Sequence, residues 1–325
     1  MFKTLNEVKQ VQIGLTTRCN SHCRFCFREE LLQKLGNKNP FYKNPIDISF
    51  DSYKKIFNNT NLTDIQFCGN KGDAIFHPDF NKILNYTIDK EIFISLSTNG
   101  SNFNRNWWKE LGRKMKGEVT FAIDGFEDTH HLYRNTSFKK VYDNMLSYIE
   151  GGGKARWQFI VFRHNEHQLE KAKMLSKEIG CYKFITVISR YYDDVMKKPI
   201  MNIDTKRESY RKFNKYPNIQ KLLFGKVRCQ WMDMKRVYVD SNGFVYPCCY
   251  ICCGTQPYYT ALEFINIDKI LRSNECNIKY NDLNDIIKSN VFNKIYNNIQ
   301  NYKTCNIHCT NLKNYYNKIR KEENL

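Results

Sequence analysis

The sequence predicts an α/β fold: a partial (β/α)6 TIM-like barrel followed by a small C-terminal extension that carries its own cysteines. Three observations lead there. Six short, β-rich apolar runs alternate with amphipathic stretches over residues 1–190, the spacing of βαβ units and a parallel sheet. Six units are too few for a closed eight-stranded barrel, so a curved, open one is expected, with its chemistry at the C-terminal ends of the strands. Near residue 190 the alternation stops, and clustered cysteines with a hairpin signal take its place.

In order, the strand candidates are residues 11–15, 64–68, 92–97, 119–123, 157–162 and 184–188. The helical candidates are 51–57, 80–86, 107–115, 138–150 and 168–178, each with apolar residues on one helical face. Gly151, Gly152 and Gly153 punctuate the passage into the fifth strand. Residues 191–224 are polar and irregular and read as a linker or a substrate-side segment. Beyond them, 236–240 and 244–246 flank Ser241-Asn242-Gly243, which has turn chemistry and predicts a hairpin. A last helix over 283–299 precedes Cys305. The expected division is therefore 1–190 for the barrel, 191–224 for the linker and 225–325 for the extension.

The chain has 325 residues, 42% of them hydrophobic, enough for one large domain and a small addition. Residues 1–10 contain no apolar core of a signal peptide, and no apolar run is long enough to span a bilayer, so a cytoplasmic protein without a membrane partner is expected. The formal charge is +18. It is spread along a chain rich in Lys, Asn, Ile and Tyr, the residues of AT-rich codons. That distribution argues against a nucleic-acid partner, although an RNA-modifying enzyme stays among the alternatives.

Thirteen cysteines in a chain without an export signal read as metal ligands or catalytic groups, because disulfides are disfavoured in the cytosol. They cluster as Cys19, Cys23 and Cys26; as Cys229, Cys248, Cys249, Cys252 and Cys253; and as Cys305 and Cys309. Cys68, Cys181 and Cys276 stand apart, the first two read as small buried hydrophobes. The first group has the spacing C-x3-C-x2-C directly after the first strand. Three thiolates on a short loop can hold three irons of a cubane and leave the fourth open to a small molecule. Phe25, beside the last thiol, would shield such a cluster from water. Zinc is the competing reading, though it usually takes four ligands in two pairs.

The segment Cys19-Asn20-Ser21-His22-Cys23-Arg24-Phe25-Cys26 resembles the signature of radical S-adenosylmethionine (radical SAM) enzymes, including the aromatic before the third cysteine. The resemblance implies a [4Fe–4S] cluster and S-adenosylmethionine (SAM), with the cofactor's methionyl amine and carboxylate chelating the open iron. It also implies an electron donor, a reductase, flavodoxin or ferredoxin. Cys68-Gly69-Asn70-Lys71-Gly72-Asp73-Ala74 is similar to the family's glycine-rich turn, commonly Gly-Gly-Glu-Pro, with His77-Pro78 a few residues on. Lys71 stands where the first glycine is usual, Asp73 replaces Glu, and Ala74 replaces Pro. By this likeness Gly72 lets backbone approach the cofactor and Asp73 receives its ammonium. Ser97 and Asn99 at the end of the third strand, and Asp124 at the end of the fourth, resemble family positions facing ribose, carboxylate or substrate. Arg134 stands where the family often has a base near the cofactor carboxylate. His130 and His131 read as surface residues. Residues 158–165 resemble the segment lining the adenine side.

Cys229, the turn closed by Gly243, and Cys248 resemble the opening of the SPASM or Twitch extension of that family. There these positions help hold an auxiliary [4Fe–4S] cluster, so Cys229, Cys248, Cys305 and Cys309 are its expected ligands. A full SPASM extension carries two clusters and needs further cysteines, so one auxiliary cluster is expected. Cys249, Cys252 or Cys253 could replace Cys248, and a zinc ribbon is the bland alternative. Similar enzymes modify ribosomally made peptides or act on small molecules and sugars. The sequence begins about ten residues before its first strand, so an N-terminal peptide-recognition domain is not expected within it, which lowers the peptide reading without excluding it. Modification of a peptide or protein side chain is placed first, a small-molecule, sugar or RNA substrate second, and a non-catalytic Fe–S electron carrier or sensor third.

Overall fold

Six strands build one parallel sheet in chain order: β1 (Gln10–Ile13), β2 (Asp64–Phe67), β3 (Phe93–Thr98), β4 (Gly117–Ala122), β5 (Lys154–Val161) and β6 (Lys183–Ile188). The structure is a computed structural model that describes residues 5–29, 44–189, 191–203, 227–252, 271–298, 301–302, 305 and 309. Along each strand the side chains alternate between faces. Val11, Ile13, Ile65, Phe67, Ile94, Leu96, Val119, Phe121, Trp157 and Phe159 point to the buried face. Full burial of each such side chain contributes about 1.5–3 kcal/mol. The opposite face carries the polar side chains of Gln12, Gln66, Ser95, Ser97, Thr120 and Gln158.

The covering helices are α1 (Phe50–Lys55), α2 (Phe80–Ile88), α3 (Arg105–Lys114), α4 (His130–Arg134), α5 (Phe138–Glu150) and α6 (Leu169–Glu178). Side-chain caps start three of them. Ser49, Asn104 and Ser137 accept from the backbone N–H groups of Ser52, Trp107 and Lys140, satisfying donors a helix start leaves unpaired. Phe80, Ile83 and Leu84 of α2, Trp108 and Leu111 of α3, and Val141, Met145 and Tyr148 of α5 complete the core.

The sheet does not end at β1. Strand β7 (Arg236–Val239) pairs in parallel with β1, and β8 (Val245–Tyr246) pairs antiparallel with β7. The order is β6-β5-β4-β3-β2-β1-β7-β8, with β6 and β8 at opposite ends, so the barrel is open. The predicted hairpin is thus present, but it extends the barrel's own sheet. Short helices α7 (Gln230–Asp233) and α8 (Cys249–Cys252) flank it. The predicted final helix is two helices, α9 (Leu283–Lys288) and α10 (Asn290–Asn297), broken where Ser289 turns extended and caps α10 through Phe292 N–H; Ile299 lies outside the described residues. The linker reading of 191–224 falls beyond residue 203 outside them as well. None of the described helices is long and apolar enough to cross a membrane.

Candidate functional site

The loop after β1 holds Cys19, Cys23 and Cys26 at the C-terminal end of the sheet. Its stem is fixed by Thr16 Oγ1 donating to Asp47 at 2.5 Å and by Arg18 gripping the same carboxylate at 2.9–3.2 Å. Each thiol faces hydrogen-bond donors. Ser21 N–H points at Cys19 Sγ at 3.4 Å, and Asn99 Nδ2 at 3.7 Å. Ser21 Oγ lies 3.0 Å from Cys23 Sγ, and Arg134 Nη1 lies 3.7 Å from it. The backbone N–H groups of Arg28 and Glu29 serve Cys26. Burial, with the nearby Asp73 carboxylate, pushes the Cys19 thiol up to about 12; burial also raises Cys26. A bound cation would have to offset that cost for these groups to ionise.

The turn after β2 is pressed onto this loop. A Cβ at Gly72 would lie 2.3 Å from Thr16 O and 2.8 Å from Arg18 O, so only glycine fits. Asp73 N–H donates to Arg18 O at 2.9 Å. The Asp73 carboxylate is buried and accepts from Asn99 N–H at 2.7 Å, Thr98 Oγ1 at 2.9 Å and Ile75 N–H at 3.4 Å. Burial nevertheless raises its pKa to about 6. Ser97 bonds the Cys68 thiol. Asn99 continues to Asn20 Oδ1 at 2.9 Å, and Ser101 Oγ donates to both Asn20 and Asn99.

At the end of β4, Asp124 is fully buried. It pairs with Arg134 on α4 and accepts from Ile160 N–H on β5. The Arg134 carbonyl accepts from Ser21 Oγ, which ties α4 to the cysteine loop. Phe25 packs at 6.1–6.5 Å among Tyr133, Phe162 and Tyr191. His131 is exposed, as read from sequence. His130 is not: it is fully buried, its Nδ1 accepting from Asp124 N–H at 3.2 Å and its Nε2 bonded to Thr136 Oγ1 at 2.9 Å. The surface reading failed because α4 is a single short turn whose inner face cannot be recognised by periodicity.

Asp73, Asn99 and Arg134 thus stand beside the cysteine loop, Gly72 packs against its stem and Asp124 reaches it through Arg134, whereas Ser97 is bonded to Cys68. Asn20, Ser21 and Ser101 join them without having been singled out. The short polar run at the exit of β3 was the signal available for Ser101; nothing marked Asn20 and Ser21 beyond their place between cysteines.

The second cysteine region assembles from distant chain segments. The Cys229 and Cys309 thiols hydrogen-bond each other, Cys248 stands near Cys229, Cys249, Cys305 and Cys309, and Cys305 stands near Cys248 and Cys309. The bond from Cys309 lowers Cys229 to about 7 and raises Cys309; burial raises Cys248. Cys249 and Cys252 sit on α8, Cys252 buried, while Cys253 lies outside the described residues. Cys68 and Cys181 are half-buried and Cys276 is buried. Among the described residues no disulfide forms, and no three His, Cys, Asp or Glu side chains stand as ligands of a single ion. A cubane spreads its sulfurs over several irons.

A family model described as the Radical SAM superfamily matches residues 13–175. The antilisterial bacteriocin subtilosin biosynthesis protein AlbA of Bacillus subtilis (strain 168) is 26% identical over 212 residues, 62% of this chain and 44% of that one. The S-adenosylmethionine-dependent nucleotide dehydratase of Selenomonas ruminantium is 30% identical over 96 residues, 28% of this chain and 30% of that one. The match spans less than half the length of these curated relatives. Streptococcus suis SuiB, solved bound to S-adenosylmethionine, matches with a TM-score of 0.59 at 13% identity over 93% of this chain and 72% of that one. Native anSMEcpe with bound AdoMet matches with a TM-score of 0.53 at 16% identity over 88% of this chain and 82% of that one. These two likenesses show the fold.

Proposed function

From the premise that this chain belongs to the radical SAM superfamily, whose members use a [4Fe–4S] cluster and SAM, we propose that it modifies a peptide or protein side chain, with Cys19, Cys23 and Cys26 holding the cluster. When bound, cluster and cofactor supply reductive cleavage of SAM to a 5′-deoxyadenosyl radical that abstracts a substrate hydrogen atom. The observation that carries the reading is the loop itself: three thiols, each facing N–H donors, directly after β1. Such donors favour the thiolate form that iron needs and tune the cluster. The donor set fits the group.

The chain's own residues divide the remaining work. Arg134, charged and held by buried Asp124, presents a guanidinium suited to a carboxylate. Asp73 holds Thr98 and Asn99 in place with one carboxylate oxygen and accepts from Ile75 N–H with the other, so its part is to shape the cofactor seat as well as to meet an ammonium. Phe25, Tyr133 and Phe162 exclude water from the cysteine loop. The polar face of Gln66, Ser95, Thr120 and Gln158 offers amide and hydroxyl groups to a substrate. In the second cysteine region, Cys229, Cys248, Cys305 and Cys309 are proposed to hold one auxiliary [4Fe–4S] cluster in an extension over 225–325. Electrons would arrive from a flavodoxin, ferredoxin or reductase.

The peptide reading is supported by the relative named for bacteriocin biosynthesis. A nucleotide or other small molecule is the second reading, favoured by the shorter match to a nucleotide dehydratase. The test is anaerobic reconstitution followed by reduction with dithionite in the presence of SAM. Release of 5′-deoxyadenosine that disappears in Cys23→Ala supports the enzyme; intact SAM beside a redox-active cluster rejects it. Mass loss or crosslinking of a short peptide encoded beside the gene decides for the peptide, and turnover of a nucleotide instead decides against it.

A further inference from the structure

The function proposed above gives no role to the segment that leaves β6, although that segment folds back over the cysteine loop. Tyr191 packs on Phe25 at 6.1 Å, and Tyr192 meets Phe162 edge-on at 6.2 Å. Asp193 then closes a tight turn. One of its carboxylate oxygens accepts from Val195 N–H at 2.9 Å and Met196 N–H at 2.7 Å, and its own N–H donates to Met196 O at 3.2 Å. An aspartate that holds the N–H groups two and three residues on fixes such a turn locally. Its other oxygen pairs with Arg24, which stands between Cys23 and Cys26 in the chain. Past the turn, Arg163 N–H donates to Lys197 O at 2.9 Å and Arg163 Nε to Lys198 O at 3.2 Å, which fastens the segment to the exit of β5.

The turn sends one side chain inward: of residues 194–198, Met196 alone is buried. It is 4% exposed, and with Cys23, Tyr133 and Phe162 it forms an apolar cluster separate from the main core. Phe25, Cys26 and Tyr192 pack against that cluster. Four parts of the chain therefore meet at Cys23: the cysteine loop, α4, the exit of β5 and the turn 193–196. Methionine supplies a flexible apolar filling in such a place. The Arg24–Asp193 pair lies at the surface, where an ion pair by itself is worth little. What the turn secures is the seat of Met196.

We propose that residues 191–198 form a fixed cover over the first cysteine group, in which Met196 shields Cys23 from water and oxygen and Asp193 is a positioning residue that holds Met196 there. This rests on the reading that Cys19, Cys23 and Cys26 hold the cluster. An apolar shell sets the access of water to such a site and with it the reduction potential. Reduction adds negative charge, which water stabilises, so a cluster that loses its cover becomes easier to reduce. It also becomes easier for oxygen to reach.

The experiment uses the full chain, reconstituted anaerobically. It follows the part of the reduced protein's electron paramagnetic resonance signal that changes on addition of SAM, which reports the first cysteine group alone. Two quantities are read: the reduction potential of that signal, and its half-life when the oxidised protein meets air before reduction. Met196→Ser is expected to hold wild-type iron without air, to shift the potential upward and to shorten the half-life severalfold. Met196→Leu, which keeps the apolar volume, is expected to match wild type in both. Asp193→Ala, which opens the turn, is expected to follow Met196→Ser in both directions of change. Should Met196→Ser fail to fold, Asp193→Ala decides alone. If either of these two variants leaves both quantities as in wild type, or if Met196→Leu changes them as much as Met196→Ser, the inference is overturned while the proposed function stands. If wild-type protein shows no SAM-responsive signal, both fall.

Discussion

At the scale of single residues, two positions are decided by atoms too close to ignore. Alanine at Gly72 would put a methyl carbon 2.3 Å from the Thr16 carbonyl. Backbone cannot yield there without moving the cysteine loop, so Gly72→Ala should leave a folded barrel that incorporates less than about half of the wild-type iron at the first cysteine group. Iron and sulfide analysis after reconstitution reads this, and wild-type iron with unchanged SAM binding would oppose it. His130 is decided by burial, which, with Arg134 nearby, lowers its pKa from 6.5 to about 3. Between pH 6.5 and 3 the unfolded chain therefore binds a proton that the folded chain refuses. The stability from this group is present above pH 6.5 and lost as pH falls. The slope approaches about 1.4 kcal/mol per pH unit once the unfolded imidazole is protonated. His130→Asn should flatten that slope, measured as urea midpoints at pH 7 and pH 5; an equal slope in both proteins would mean that other groups carry it.

At the scale of elements, local pattern and tertiary pairing had different legibility. All six strands of the parallel sheet and the long helices appear where apolar alternation and periodicity place them, and α5 has the expected limits, Phe138–Glu150. The ends of the others move by a few residues because caps such as Asn104, not the apolar pattern, set where a helix begins. The pairing of β7 with β1 was not legible. A register linking Gln10 to Arg236 across the chain leaves no mark on either segment. The break at Ser289 was legible in principle, since serine is a strong helix-starting residue. Periodicity hid it, because apolar residues continue on the same face from Ile287 to Phe292 and Ile295. Ser289→Ala removes the side-chain oxygen that accepts from Phe292 N–H. The expected cost is about 1 kcal/mol, read as a lower urea midpoint without change in the iron bound.

At the scale of the whole molecule, the two cysteine regions differ in how the chain builds them, and that difference makes them separable. Cys19, Cys23 and Cys26 lie on one loop whose stem is fixed by Asp47 and whose flanks are the ends of β2, β3 and β4. Their spacing marked them as one group in the sequence. Cys229, Cys248, Cys305 and Cys309 come together only after β7 has joined β1 and the C-terminal helices have packed, so their grouping rested on likeness. The buried face of β1–β6 is covered by α1–α3, α5 and α6, and residues of the second region such as Val237, Tyr246 and Phe292 join the same apolar cluster, whereas Cys309 is only partly buried and packs at its margin. A lesion at Cys309 should accordingly leave the first site intact. Cys309 hydrogen-bonds Cys229, and Cys309→Ala removes both that bond and one proposed iron ligand. If the second region holds a [4Fe–4S] cluster, wild-type protein reconstitutes with about eight irons per chain and Cys309→Ala falls toward four. The Cys19, Cys23 and Cys26 triple alanine variant falls by a similar number. Only the triple variant should lose SAM binding outright. Zinc in place of iron at the second region, measured by metal analysis of protein purified without reconstitution, would reject the auxiliary cluster. About four irons in wild type would do the same.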